Sequence, residues 1–167
     1  MRFFDPKFKD NPGKYIAQCA MAALVLFVVL LLLDVRSNAA VIGALGASSF
    51  IAFTMPHANV SKPRYLLGGY AVGIVVGVAC YYTSRLAVLA NVPLFQESGP
   101  EVFGALAVGI SIFVMVITNL EHPPAAGVAL GLALNLSMPL TPIVIVVGIV
   151  GLTVGKTLLK PLLINLL

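Results

Sequence analysis

Asn119, Glu121, His122, Pro123 and Pro124 stand together in "NLEHPPAAGVALGLALN", which runs from Asn119 to Asn135 between stretches that are almost wholly apolar. An imidazole beside a carboxylate can hold a polar solute or pass a proton, and histidine changes charge near neutral pH. Two prolines after that pair remove two backbone donors and suit the first turn of a helix, where those donors have no internal partner anyway. The N–H groups of Ala125, Ala126 and Gly127 are then expected to point toward whatever precedes the helix, with about half a positive charge of helix dipole behind them. This is chemistry for a small anion, with His122 as an additional donor. The bland alternative is an interfacial turn in which Glu121 and His122 satisfy each other and the lipid head groups.

The same logic marks "RSNAA", where Arg36 offers a guanidinium and Ser37 and Asn38 offer capping side chains ahead of two alanines. Ser48 and Ser49 extend hydroxyls along the segment that follows, and Asn135 places an amide in an apolar stretch, where it needs an interhelical partner or water. Catalysis is not expected. A hydrolase needs a nucleophile with a base, paired acids or clustered metal ligands, and the two histidines, His57 and His122, fall in separate halves. Cys19 and Cys80 lie within apolar segments and give neither a disulfide framework nor a metal-ligand spacing. No cofactor is implied.

These groups must be positioned by elements that live in lipid. The chain is 60% hydrophobic and 10% charged, against about 25% charged in an ordinary soluble domain, so it cannot cover a water-facing surface. The uncharged run Ile16 to Leu33 is long enough to cross a bilayer and too long for a signal-peptide core, and is expected to be a retained first span. Behind a polar arm (1–15), residues 16–167 form one transmembrane domain of six apolar segments: Ile16–Leu33, Ala39–Thr54, Tyr65–Leu89, Val102–Thr118, Pro124–Leu136 and Pro142–Leu159. The second and fifth are short for a hydrocarbon core of about 30 Å. The fold class expected is an all-α polytopic helix bundle.

The net charge of +4 suggests membrane orientation rather than nucleic acid, because the basic residues border apolar segments and no soluble face gathers them. With six crossings and a cytoplasmic amino terminus, Arg2, Lys7, Lys9, Lys14, Lys62, Arg64, Lys156 and Lys160 fall inside. Only Arg36 and Arg85 fall outside, with Asp34, Glu97 and Glu101. The positive-inside rule therefore places both termini in the cytoplasm, in a membrane read as the bacterial inner (plasma) membrane.

"NAAVIGALG" (Asn38 to Gly46) echoes "PAAGVALG" (Pro124 to Gly131), and each short segment leads to a Met-Pro pair and then a Gly-rich segment. Three crossings in each half make the second half upside down relative to the first, a 3+3 inverted repeat over 16–90 and 101–163. Two short helices of opposite direction can then aim their starts at one cavity. If the spans before them cross fully, the starts lie on opposite faces. Glycines four apart (Gly69, Gly73 and Gly77; Gly127 and Gly131; Gly151 and Gly155) make grooves for a neighbouring backbone, within one subunit or between copies in a homo-oligomer.

"EHPPAAG" (Glu121 to Gly127) resembles the signature of the HPP family of integral membrane proteins, named for its His-Pro-Pro triplet. "GALGASSFIAF" and the following "MPHANVSKPRYLLGG" are similar to the family's Pro-containing basic loop ahead of a Gly-Gly helix, and the resemblance extends over nearly the whole chain. Where the family pattern often has an apolar residue before the histidine, this chain has Glu121. Members include chloroplast and cyanobacterial proteins implicated in nitrite transport, so the resemblance implies movement of a small, nitrite-like anion, by carrier or channel. The expected pathway is His122 with Glu121, Asn119 and the helix start from Pro123 to Gly127. Arg36, Ser37 and Asn38 assist, and Ser48, Ser49 and Asn135 line it. The rival reading is a non-transporting structural or regulatory subunit that associates through its glycine seams.

Overall fold

The computed structural model describes residue 8 and residues 11–33, 39–89, 93–136 and 140–166. The described residues form six α-helices: α1 (Pro12–Leu33), α2 (Ala39–Thr54), α3 (Pro63–Leu89), α4 (Pro93–Thr118), α5 (Pro123–Leu134) and α6 (Thr141–Leu159). Short 3-10 turns lie at Asn59–Ser61 and Lys160–Leu162. Prolines open α1, α3, α4 and α5, where a missing donor costs nothing. The apolar segments expected from the sequence lie within or close to these helices, but α1 begins at Pro12, four residues ahead of Ile16 and inside the expected arm, and α4 begins nine residues ahead of Val102 and runs through Pro100. A helix does not have to stop where its lipid-compatible stretch stops.

Four helices, α1, α3, α4 and α6, are long and apolar enough to cross a membrane. Their large apolar side chains face outward, among them Leu24, Val75, Phe113 and Leu158, as expected where the surrounding solvent is hydrocarbon. The chain is an integral membrane helix bundle. Successive helices reverse direction. Tyr15 Oη donates to the Leu166 carbonyl at 3.1 Å, and the Leu166 amide donates to the Thr54 carbonyl at 2.9 Å. The start of α1, the end of α2 and the segment after α6 therefore share one end of the bundle, here the basal end. Lys14, Lys62, Arg64, Lys156 and Lys160 lie toward it, whereas Arg85 lies toward the other end.

Gln18 locks this end. Buried in α1, it donates through Nε2 to the carbonyls of Phe53 and Ile164, and its Oε1 accepts from the Ile164 amide at 3.1 Å. One amide side chain in a greasy run thus joins three segments far apart in sequence.

With 12 residues, α5 spans only about 18 Å. It can be short because it starts inside the protein. α4 ends at Asn119, which adopts a left-handed φ of 54°. The Leu120 amide reaches back to Met115 and the Asn119 amide to Val116, the paired bonds of a Schellman cap. That reversal folds Leu120 over Gly68 and sets His122 against Gly69. Gly69 is six residues into α3, so α5 begins about 9 Å above the start of α3.

From there α5 climbs the groove of α3. A Cβ on Gly73 would collide with the Ala125 carbonyl, and one on Gly77 would lie 2.8 Å from the Ala129 carbonyl oxygen. Pro124, Ala125, Val128, Ala129, Leu132 and Ala133 are buried, because α2, α3 and α4 all pack on α5. The glycine seam therefore lies within one subunit, and Gly151 and Gly155 are likewise faced by Val29 and Val25 of α1.

Each half runs long, short, long, in opposite directions. The main helix contacts are unchanged if α1, α2 and α3 are exchanged with α4, α5 and α6: α1–α2 matches α4–α5, α1–α6 matches α3–α4, and α2–α6 matches α3–α5. This is the pattern that an inverted repeat generates, although α3–α5 is the more extensive of its pair.

Candidate functional site

The residue before the first proline of α5 is His122, the helix N-cap, with extended backbone and 0% exposure. Its Nε2 lies 2.8 Å from Ser48 Oγ, and that same oxygen lies 2.8 Å from Tyr70 Oη. Ser48 comes from α2 and Tyr70 from α3. The Tyr70 ring leans on the imidazole with 5.7 Å between centroids. The three side chains form one buried polar node where α2, α3 and α5 meet. Ser48 lies six residues before the end of α2, so the node sits about 9 Å inside that helix end.

His122 occupies the connection between helices rather than a spanning segment. Burial lowers its pKa from the ordinary 6.5 to about 4, and the Val60 backbone acts in the opposite direction. The imidazole is therefore neutral at physiological pH. Nδ1 is buried without a well-formed hydrogen bond, so the Val60 carbonyl favours a proton on the ring without fully satisfying it.

Val60 and Ser61 belong to the 3-10 turn after α2, and that turn brings in a second buried group. Ser61 is enclosed, its hydroxyl donating to the Ile51 and Met55 carbonyls at 2.9 and 2.6 Å. Its own carbonyl accepts from Lys156 Nζ at 2.8 Å. Lys156, on the last turn of α6, is 2% exposed. Among the described residues no carboxylate forms an ion pair with it, and the neutral Ser61 carbonyl is the partner it has there. A charge removed from water requires a partner of opposite sign or several hydrogen bonds, and an ammonium has three donors to satisfy. One 3-10 turn thus touches both the imidazole and the ammonium.

The sequence-predicted residues are dispersed around this node. His122 and Ser48 are in it. Ser49, one residue along α2, faces α1 and donates weakly to the Ala22 carbonyl at 3.5 Å. Glu121 is half-buried and lines, with His122, Met115 and Pro123, an apolar-walled cavity of about 320 Å³ between α4 and α5. Asn119 is the helix cap of α4 and accepts from Tyr65 Oη at 3.2 Å. Asn135 is exposed and caps the end of α5, so its amide is not inside the helix and needs no interhelical partner. Arg36, Ser37 and Asn38 lie outside the described residues.

At the α5 start, the Ala125 amide already donates to the His122 carbonyl at 2.9 Å. Ala126 and Gly127 belong to the helix, whose i to i−4 ladder takes their amides. Pro123 and Pro124 have none to give. The two prolines thus remove the free donors instead of uncovering them, and side chains are left as the polar groups of this site. Nor do the two short helices aim their starts at one cavity. α2 and α5 run antiparallel, and the start of α5 meets Ser48 in the second half of α2.

Sequence reasoning missed Lys156, Tyr70 and Ser61. By sequence Lys156 is an orientation charge, and Tyr70 sits in a run of apolar residues where an aromatic is usually packing. A lysine four residues before a second lysine at the end of a span was the available signal, because one head group can snorkel to the surface while the other turns inward.

The Ser48–His122 pair also has the spacing of a nucleophile and its base. Ser48 lies in mid-helix with the surrounding amides committed to the helix, and both side chains are enclosed.

A family model described as "HPP, transmembrane region" matches residues 8–166. A transmembrane protein of Dictyostelium discoideum is 35% identical over 89 residues, which is 53% of this chain and 28% of that protein. A second transmembrane protein of the same organism is 29% identical over 89 residues, again 53% of this chain and 26% of the relative. The chain thus spans about a quarter of the length of the curated relatives it matches. No solved structure matches.

Proposed function

Because the chain belongs to the HPP transmembrane family, we propose that it is a transporter or channel that moves a small inorganic anion, of nitrite-like size and charge, past the Lys156–His122 region. The observation that carries this reading is the buried ammonium of Lys156, which meets no carboxylate among the described residues. Ionisable groups enclosed in a membrane bundle mark pathways more often than packing. A small monovalent anion beside Lys156 would supply the missing countercharge, and the hydroxyls of Ser48 and Tyr70 and the imidazole of His122 would supply neutral hydrogen bonds. The two hydroxyls can rotate their protons to suit the occupant, and the imidazole can do so by changing tautomer.

Support also comes from what the glycines do. The rival subunit reading needs free seams for association; the seams on α3 and α6 are filled by α5 and α1 of the same chain, which leaves Gly127 on α5 as the open position of the third. The basal end, with its excess of lysine and arginine, is taken as the cytoplasmic face of a plasma membrane. Labelling a cysteine at position 62 from one side only would test that orientation.

The decisive experiment is flux through purified protein in liposomes, with nitrite, nitrate, chloride and formate at several pH values. Selective anion flux is expected, with a large loss in Lys156→Gln and retained flux in Lys160→Gln. Vesicles with correctly folded protein that leak no anion faster than empty vesicles would end the transport reading.

A further inference from the structure

The outward face of α6 carries a feature that the anion pathway does not use. Ile143, Val147, Val150 and Val154 are exposed and follow one another at spacings of three and four, so they form one apolar stripe along the helix. Continued at the same spacing, the stripe reaches Thr157 and then Pro161, both exposed. There the surface turns polar. Thr157, Pro161 and Lys160 line a cavity of about 430 Å³ with His57 and Leu163.

His57 is held at that wall by the segment after α6. Its amide donates to Asn165 Oδ1 at 3.2 Å, and its Nε2 lies 3.3 Å from the Leu163 carbonyl. Lys160, which is exposed, brings an ammonium to the rim. The rest of the basal end, with Lys14, Lys62 and Arg64 against the single described acid Glu121, is of the same sign. A basic pocket at the foot of an apolar stripe matches one kind of occupant in both parts.

We infer that this groove is a binding site for an acidic phospholipid, whose phosphodiester sits between Lys160, His57 and Thr157 while an acyl chain lies along Val154, Val150 and Val147. The dimensions agree: Val147 to Thr157 is ten residues, about 15 Å along the helix, which is one leaflet of a core about 30 Å thick. Basic groups at the polar boundary of a span attract anionic head groups. The bound lipid would also brace the segment Leu163–Leu166, because His57 contacts both the pocket and that segment. This site does not depend on the transport reading, and either can fail alone.

The test uses the full chain in neutral detergent, with phosphatidylglycerol or phosphatidylcholine added, and counts bound lipids by native mass spectrometry alongside thermal unfolding. One phosphatidylglycerol should be retained in preference to phosphatidylcholine and should raise the unfolding temperature. Lys160→Gln should bind it about fivefold more weakly, the worth of one basic side chain at an anionic surface. His57→Gln should weaken it as well, and Arg64→Gln, on the same end but outside the pocket, should not. Phosphatidylglycerol bound equally by wild type and Lys160→Gln would overturn the site. So would Arg64→Gln weakening binding as much as Lys160→Gln, since that is diffuse charge attraction. Stabilisation by inorganic phosphate alone to the same extent would overturn the lipid as occupant.

Discussion

Replacing Gly77 by alanine tests the packing that places the whole site. A Cβ at this position would lie 2.8 Å from the Ala129 carbonyl oxygen, 2.9 Å from its Cα and 3.0 Å from the Leu132 Cβ, where ordinary contact begins at 3.4 Å. Two of those three atoms are backbone, so no rotamer change relieves the overlap. α5 must withdraw from α3 by about 0.4 to 0.6 Å, the shortfall of each contact from 3.4 Å. Overpacking of this kind costs about 1–3 kcal/mol. Alanine returns up to about 1 kcal/mol of helix propensity, which leaves a net destabilisation of about 0–2 kcal/mol when the full amount is returned. Gly109 on α4 is the control, since a Cβ added there would meet nothing within 4 Å; Gly109→Ala should be neutral or stabilising by up to about 1 kcal/mol. The propensity gain is common to both variants, so unfolding in mixed micelles with increasing dodecyl sulfate should separate them by the overpacking cost, roughly 1–3 kcal/mol. Equal stability of Gly77→Ala and Gly109→Ala would show that α5 does not press on the α3 seam, and the placement of His122 beside Ser48 would lose its support.

Three further outcomes follow from the site. Burial lowers the His122 pKa from 6.5 to about 4, so between those values the unfolded chain binds a proton that the folded chain refuses. Stability should fall on acidification from pH 6.5 to 4 by up to roughly 3 kcal/mol from this group, and unfolding curves of His122→Gln should lack that component. In Gln18→Leu the Ile164 amide and the Phe53 and Ile164 carbonyls lose their side-chain partner; a loss of about 2–4 kcal/mol and faster carboxypeptidase trimming of the last residues are expected. Tyr70→Phe keeps the ring but removes one of the two partners of Ser48. It should cost about 1 kcal/mol and leave the expression level near wild type, whereas Ser48→Ala strands both His122 and Tyr70 and should cost more in the same assay.

The number, extents and shortness of the helices were legible in the sequence, because lipid imposes a local condition: a span must be apolar over a set length, and a proline or polar cluster ends it. The six segments and the gathering of lysine and arginine at one end follow from that condition, and His-Pro-Pro marked the start of α5 for the same reason; the arm expected over 1–15 lies mostly outside the described residues, and its last residues belong to α1. Which glycine groove would be filled, and by which helix, was not local. The sequence offered the seams equally for association between copies, and only tertiary packing put α5 against Gly69, Gly73 and Gly77. The partners of His122 were likewise decided by the fold, since Ser48 is 74 residues away and bonds it only because antiparallel α2 and α5 bring them level. Lys156 shows the limit most clearly. Its residue type and place near a span end match those of Lys160, yet one head group turns inward to the Ser61 carbonyl and the other stays exposed. The cause is a difference in helical angle of four residues near a helix end, which becomes a difference in dielectric only when a neighbouring turn closes over one of them.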